Sequence, residues 1–319
     1  MKTLLLLLLL WVPLNLSVHP DSFRARQYFS RPARKAVTWQ KELRSEFSKL
    51  LNISDLIEIR QDIPLKPEII KSELNWDFLQ SEIEISSTAG RRIRVILTIP
   101  QKSRGPWPAV VCIHGHGGKL YSVYDKDKGS PYHGFASELA EQNFVTIATT
   151  VSQHEIFEPG RTLMGERLWD LMRCVDYLES LPEVDSKRIG CGGLSLGGEM
   201  AMWLGAMDTR IKATASCGFL TRMDQMEQGH CQCWKFPGLR ELVDYADIYS
   251  LTAPRALQCQ NGLKEPPEDF TVALAEEAMK EIRIIYSDLK HPGRVSLVAH
   301  DGAHEINVPA MMTFFKTEL

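Results

Sequence analysis

The 319-residue chain has no apolar run long enough to cross a bilayer, no block of like charges, no internal repeat, and no low-complexity tract beyond a leucine stretch near its start. Each absence narrows the field. The apolar run at residues 4–12, behind Met1 and Lys2, is about half the ~20 residues a spanning helix needs, so it reads as a secretory signal and not an anchor. We assign it to residues 1–18, although Asn15-Leu16-Ser17-Val18 offers no clean pair of small residues to mark a cleavage site. A net charge of −3 and a pI near 6.3, with the charges scattered, leave no electrostatic footprint for nucleic acid. Export would permit disulfides, yet of the seven cysteines Cys112, Cys191, Cys217 and Cys259 fall in or beside expected strands and read as small buried apolar residues. Cys231 and Cys233, in His230-Cys231-Gln232-Cys233-Trp234, make half a metal site at most, because no second C-x-C or C-x-x-C completes it. Neither a metal nor a cofactor is expected.

What the chain does have is enough apolar content, 44%, to bury a large core. We expect a helical extension over residues 19–75 and one catalytic domain over 76–319. In the extension, Trp39, Leu43, Phe47 and Leu50 recur at helical spacing and should lay one face on that domain. Asn52-Ile53-Ser54 is a glycosylation sequon, relevant only in a glycosylating host. Apolar runs predict a hairpin of strands at 80–86 and 92–99, then strands at 109–113, 144–149, 188–192, 212–217, 256–260 and 294–299. Helical patterns fall between them at 134–142, 167–181, 199–207 and 271–284. The expected architecture is an eight-stranded, mostly parallel sheet with helices on both faces.

Chemistry concentrates where strands end. Gly193-Leu194-Ser195-Leu196-Gly197-Gly198 lies between a strand and a helix and reads as a nucleophile elbow with Ser195 at its tip. Glycine is needed on both sides because the turn is strained and another backbone passes close by. Upstream, His114-Gly115-His116-Gly117-Gly118 follows a strand and can turn a backbone N–H toward a developing oxyanion. The second donor would be the N–H of Leu196 at the helix start, and His116 is the candidate in the glycine-rich loop. Near the C-terminus, His304 lies several residues beyond the last strand and is preferred as base over His300, which stays tied to that strand. For the acid, Glu265 lies three residues beyond Gly262, and Asp269 and Asp224 remain alternatives. Tyr121, Tyr124, Tyr132, Trp169 and Trp234 lie on segments that either line a substrate pocket or simply pack.

Taken together, residues 113–118, 181–190, 193–199, 208–213, 230–238 and 253–255 resemble the α/β-hydrolases, and within that fold the secreted acetyl xylan esterase and dienelactone-hydrolase-like group. The resemblance covers most of the chain after the signal. It implies Ser195 as nucleophile, His304 as base, and Glu265 at the position where the group usually has Asp. Serine stands where dienelactone hydrolases proper use cysteine, which implies ordinary ester chemistry through an acyl-enzyme. The implied substrate is a short-chain acyl ester, above all acetyl, on a small molecule, polysaccharide or oligosaccharide, handled outside the cytoplasm. Two rival classes stay open. A prolyl-oligopeptidase-like peptidase shares Gly-x-Ser-x-Gly-Gly, but the roughly 80 residues ahead of the first expected strand are too few for a propeller. A non-catalytic binding protein on a hydrolase scaffold would need a broken triad, against which Ser195 and His304 argue.

Overall fold

The computed structural model describes residues 36–75 and 77–319, so the signal assigned to residues 1–18 lies outside the described residues. The sheet has nine strands where eight are expected from the sequence. They are β1 (Glu68–Leu74), β2 (Phe78–Ser86), β3 (Arg92–Pro100), β4 (Trp107–Ile113), β5 (Val145–Thr149), β6 (Val184–Leu194), β7 (Ile211–Cys217), β8 (Ala256–Gly262) and β9 (Val295–His300). The added strand is β1, which falls within residues 19–75, and every residue of it is exposed. A strand with no buried face carries no alternation of apolar and polar residues, which is why the pattern does not reveal it.

The spatial order is β1-β2-β3-β5-β4-β6-β7-β8-β9. The first four strands in that order pair antiparallel, and from β5 onward every pairing is parallel. The chain order reverses around β4, which lies between β5 and β6. A sheet of this kind opens its crevice at such a point, outside the carboxyl ends of the strands. The loop after β4 and the turn after β6 therefore emerge side by side.

Helices cover both faces. On one side lie α1 (Ala36–Leu50), α3 (Leu163–Ser180), α4 (Leu196–Met207) and α5 (Val272–Asp288), sharing one apolar cluster. On the other, α2 (Phe135–Glu141) and α6 (Val308–Glu318) share a second. The C-terminal α6 is absent from the sequence expectation. It starts with a proline at its first turn, capped by the Asn307 side chain, and buries Met311, Phe314 and Phe315. Helix α1 buries Trp39, Leu43 and Phe47, as its spacing predicts. The Phe47 ring meets Trp203 of α4 edge-on at 5.0 Å, and Gln40 donates to the carbonyls of Ser250 and Ala253. Burying one such aromatic contributes about 1.5–3 kcal/mol, so α1 is part of the core that supports α4.

Candidate active site

Ser195 sits between β6 and α4 with φ 60° and ψ −123°, a left-handed conformation that a side chain seldom adopts. The surroundings hold it there. Its N–H donates to the Cys217 carbonyl at 2.9 Å, and its own carbonyl accepts from Glu199 in the first turn of α4. The backbone that passes close is the end of β4: a Cβ at Gly193 or Gly197 would overlap the Ile113 carbonyl oxygen. The flanking glycines thus let β4 and the elbow touch.

Past β7, Gly218 has φ +57°, and a Cβ there would stand 2.9 Å from Cε1 of His304. The His304 ring therefore lies on the residue next to Cys217, which holds Ser195. Its Nδ1 is 2.8 Å from Oε1 of Glu265, whose side chain is 1% exposed. Phe270 stacks on the imidazole, with ring centroids 5.4 Å apart. Two backbone bonds stitch the acid's loop to the base's loop: Leu263 N–H to the His300 carbonyl and Lys264 N–H to the Gly302 carbonyl. Of the three carboxylates considered, only Glu265 meets His304. Asp224 pairs with Arg240, and Asp269 lies 3.8 Å from His230. His300 is the last residue of β9 and is buried.

The glycine-rich loop after β4 is ordered by its own bonds. Gly115 N–H donates to Tyr132 Oη at 2.8 Å, and Gly118 N–H donates to the Gly115 carbonyl. His114 is buried, accepts from Val151 N–H at Nε2, and is held below the usual histidine range by desolvation. Beyond this loop, a cavity of about 60 Å³ is lined by Ser195, Leu196, His116, Glu199, Phe219 and Phe270, with Met226, His230 and Cys231 closing it. Glu199 is buried, its Oε1 has no hydrogen-bond partner, and desolvation pushes its carboxyl up to about 8 against the opposing pull of Arg167. The aromatic residues considered for the pocket are elsewhere. Tyr124, Tyr132, Trp169 and Trp234 are core residues, and Tyr121 donates to Glu82 at the surface.

The sequence expectation misses a second cluster at the same cavity. His116 Nε2 lies 3.1 Å from Cys233 Sγ, and His154 Nε2 lies 3.3 Å from Cys231 Sγ. The four atoms all fall within 4.8 Å of one another. Arg167, wholly buried, points NH1 at Cys233 Sγ from 3.5 Å. Only the two cysteines are close in sequence, with Gln232 between them. The histidines come from loops 117 and 77 residues away, beyond the reach of a spacing motif. All seven cysteines are free, and Cys112, Cys191, Cys217 and Cys259 are buried as expected.

A family model of fungal glucuronyl esterases matches residues 84–218, and one of the BAAT / acyl-CoA thioester hydrolase C-terminal domain matches residues 172–288. The "Putative hydrolase YtaP" of Bacillus subtilis is 27% identical over 241 residues, covering 67% of this chain and 77% of that protein. Other curated relatives are matched over only 33–39% of their own length. Among solved structures, a "putative acetyl xylan esterase" from Bacteroides fragilis superposes with a TM-score of 0.69 at 18% identity, over 89% of this chain and 81% of that one. A glucuronoyl esterase from Solibacter usitatus gives 0.64 at 16% identity, over 80% and 86%. The chain has the α/β-hydrolase fold, and the matching family models and the solved structures named above are of esterases and related acyl hydrolases.

Proposed function

We propose that the chain is an exported serine carboxylesterase that removes short acyl groups, above all acetyl, from small-molecule or carbohydrate esters. The observation that carries this reading is the 2.8 Å bond between Glu265 and His304 Nδ1, on the residue next to the one that holds the Ser195 elbow. A carboxylate on Nδ1 fixes the tautomer whose Nε2 can take the serine proton. Ser195 Oγ then attacks the ester carbonyl while His304 accepts that proton and returns it to the leaving alcohol. Water resolves the acyl-enzyme by the same route in reverse. The negative charge on the carbonyl oxygen is met by the N–H of Leu196 at the start of α4 and by that of His116 in the glycine-rich loop, where Gly115 and Gly118 already spend theirs.

Cavity size supports the short acyl chain. At about 60 Å³ the cavity is far below the ~300–1,000 Å³ of sites for drug-sized ligands, which favours a short acyl group over a long one. Export rests on the residue 1–12 pattern of positive and apolar residues. No described helix is long and apolar enough to cross a membrane.

The test is a panel of 4-nitrophenyl esters from acetate to octanoate, run beside a glucuronate methyl ester, an acyl-coenzyme A and aminoacyl-anilides. Acetate should be cleaved fastest, and Ser195→Ala should abolish that activity. A wild type inert on every oxygen ester but active on anilides would move the chain to the peptidases.

A further inference from the structure

We propose that His116, His154, Cys231 and Cys233 form a closed four-ligand site for one zinc ion that braces the wall of the Ser195 cavity. Two thiolates and two imidazoles are a donor set that zinc takes in tetrahedral structural sites, and they are too soft for magnesium or calcium. The geometry fits. With zinc–sulfur near 2.3 Å and zinc–nitrogen near 2.0 Å, neighbouring donors of a tetrahedron stand about 3.5 Å apart. The two nitrogen–sulfur pairs here stand 3.1 and 3.3 Å apart, and no pair among the four atoms exceeds 4.8 Å. A central ion requires about an ångström of side-chain adjustment.

Hydrogen bonding alone is a poor reason for this convergence, because a thiol is a weak donor and a weak acceptor. Arg167 supplies an independent sign. It is fully buried, yet it directs NH1 to Cys233 Sγ and NH2 to the carbonyl of Gln153, the residue before His154. NH1 shares its contact with the Met164 thioether at the same 3.5 Å, but of the two sulfurs only that of Cys233 can become a thiolate and take up the buried positive charge, and the same side chain orients the loop of a second ligand. Binding converts two thiols and a divalent cation into a neutral dithiolate centre and releases two protons, so Arg167 faces no net opposing charge. His116, His154 and Cys231 are exposed, which gives the ion a way in.

Four protein ligands leave no open position, so the ion takes no step in ester cleavage. Its effect is mechanical. It ties together the loops after β4, β5 and β7, and two of its ligands, His116 and Cys231, also line the cavity. The consequence for catalysis rests on the esterase reading, through the His116 N–H, whereas the metal site itself does not.

The experiment keeps the two apart. Wild type purified from zinc-supplemented medium without chelator should carry one zinc per chain by elemental analysis. Cys231→Ser/Cys233→Ser and His154→Ala should fall to background, and Ser195→Ala should keep its full complement whether or not the esterase reading holds. Cobalt-exchanged wild type should show the strong visible bands of tetrahedral cobalt and thiolate-to-cobalt charge transfer, a signature that needs no variant to fold. Zinc at background in folded wild type, zinc retained by the double variant, or a Cys231–Cys233 disulfide in the non-reduced peptide map would overturn the site.

Discussion

Two clusters meet at the Ser195 cavity, and they are held in opposite ways. Ser195, His304 and Glu265 stand on or beside strand ends and are locked by backbone: the Cys217 carbonyl, the Ile113 carbonyl behind two glycines, and the stitches between the loops after β8 and β9. His116, His154, Cys231 and Cys233 sit on loops, three of the four exposed, and converge through side-chain atoms. Geometry needed at the reacting atom is assigned to the rigid scaffold, and the wall that shapes the cavity is left to loops that require an additional tie.

The comparison breaks first at Ser195. Ser195→Ala should lower kcat for 4-nitrophenyl acetate by about 10⁴-fold or more, with little change in Tm, by steady-state kinetics beside calorimetry. A residual rate within about tenfold of wild type would remove Ser195 from the chemistry. Next, Glu265→Gln should lower kcat by about 10³-fold, because the amide can present its N–H to Nδ1 and favour the wrong tautomer, whereas Glu265→Asp should retain a larger share of activity. The loop cluster should respond differently. Removing the ion with a chelator should cost about tenfold in kcat/KM, carried mainly by kcat because the His116 N–H serves the transition state, and reversed by zinc; the loss is smaller than at Glu265 since the Glu265–His304 bond does not depend on the ion.

The last effect is a pH dependence, read on stability alone. Burial raises the Glu199 carboxyl from an ordinary 4.5 to about 8, so between those values the folded state holds a proton that the unfolded state has lost. The group's contribution is therefore fully present below about pH 4.5 and lost as the pH rises through about 8. Glu199→Gln keeps a neutral side chain at all pH. Its stability relative to wild type should therefore rise across that window, by up to about 1.4 kcal/mol per pH unit at the steepest. Urea denaturation of both proteins at several pH values reads this difference, and a difference independent of pH would mean that Glu199 is ionised in the fold.

What was legible in the sequence follows the same division. The elbow was readable because its requirement is local: two glycines, one serine, and a strand and helix on either side. The central strands were readable because both faces are buried, which fills β4 with an unbroken apolar run and β5, β7 and β8 mostly with apolar and small residues between the helical segments. Strand β1 was not, having no buried face to impose a pattern. The choice among Glu265, Asp269 and Asp224 stayed open because it depends on bonds from Leu263 and Lys264 to the loop after β9, nearly forty residues downstream. The histidine half of the sulfur cluster was hidden for the same reason at longer range. Cys231 and Cys233 announce themselves, but His116 and His154 join them only once β4, β5 and β7 are aligned in one sheet.

In the proposed reaction Ser195 carries the acyl group. This is tested most directly by mixing enzyme with excess 4-nitrophenyl acetate, quenching in acid within one turnover, and mapping acetylated peptides by mass spectrometry, with Glu265→Gln included to slow the steps that His304 assists. The expected result is one acetyl group per chain, on Ser195. Ester turnover with no acetyl on Ser195, or with acetyl on another side chain and undiminished activity in Ser195→Ala, would contradict it.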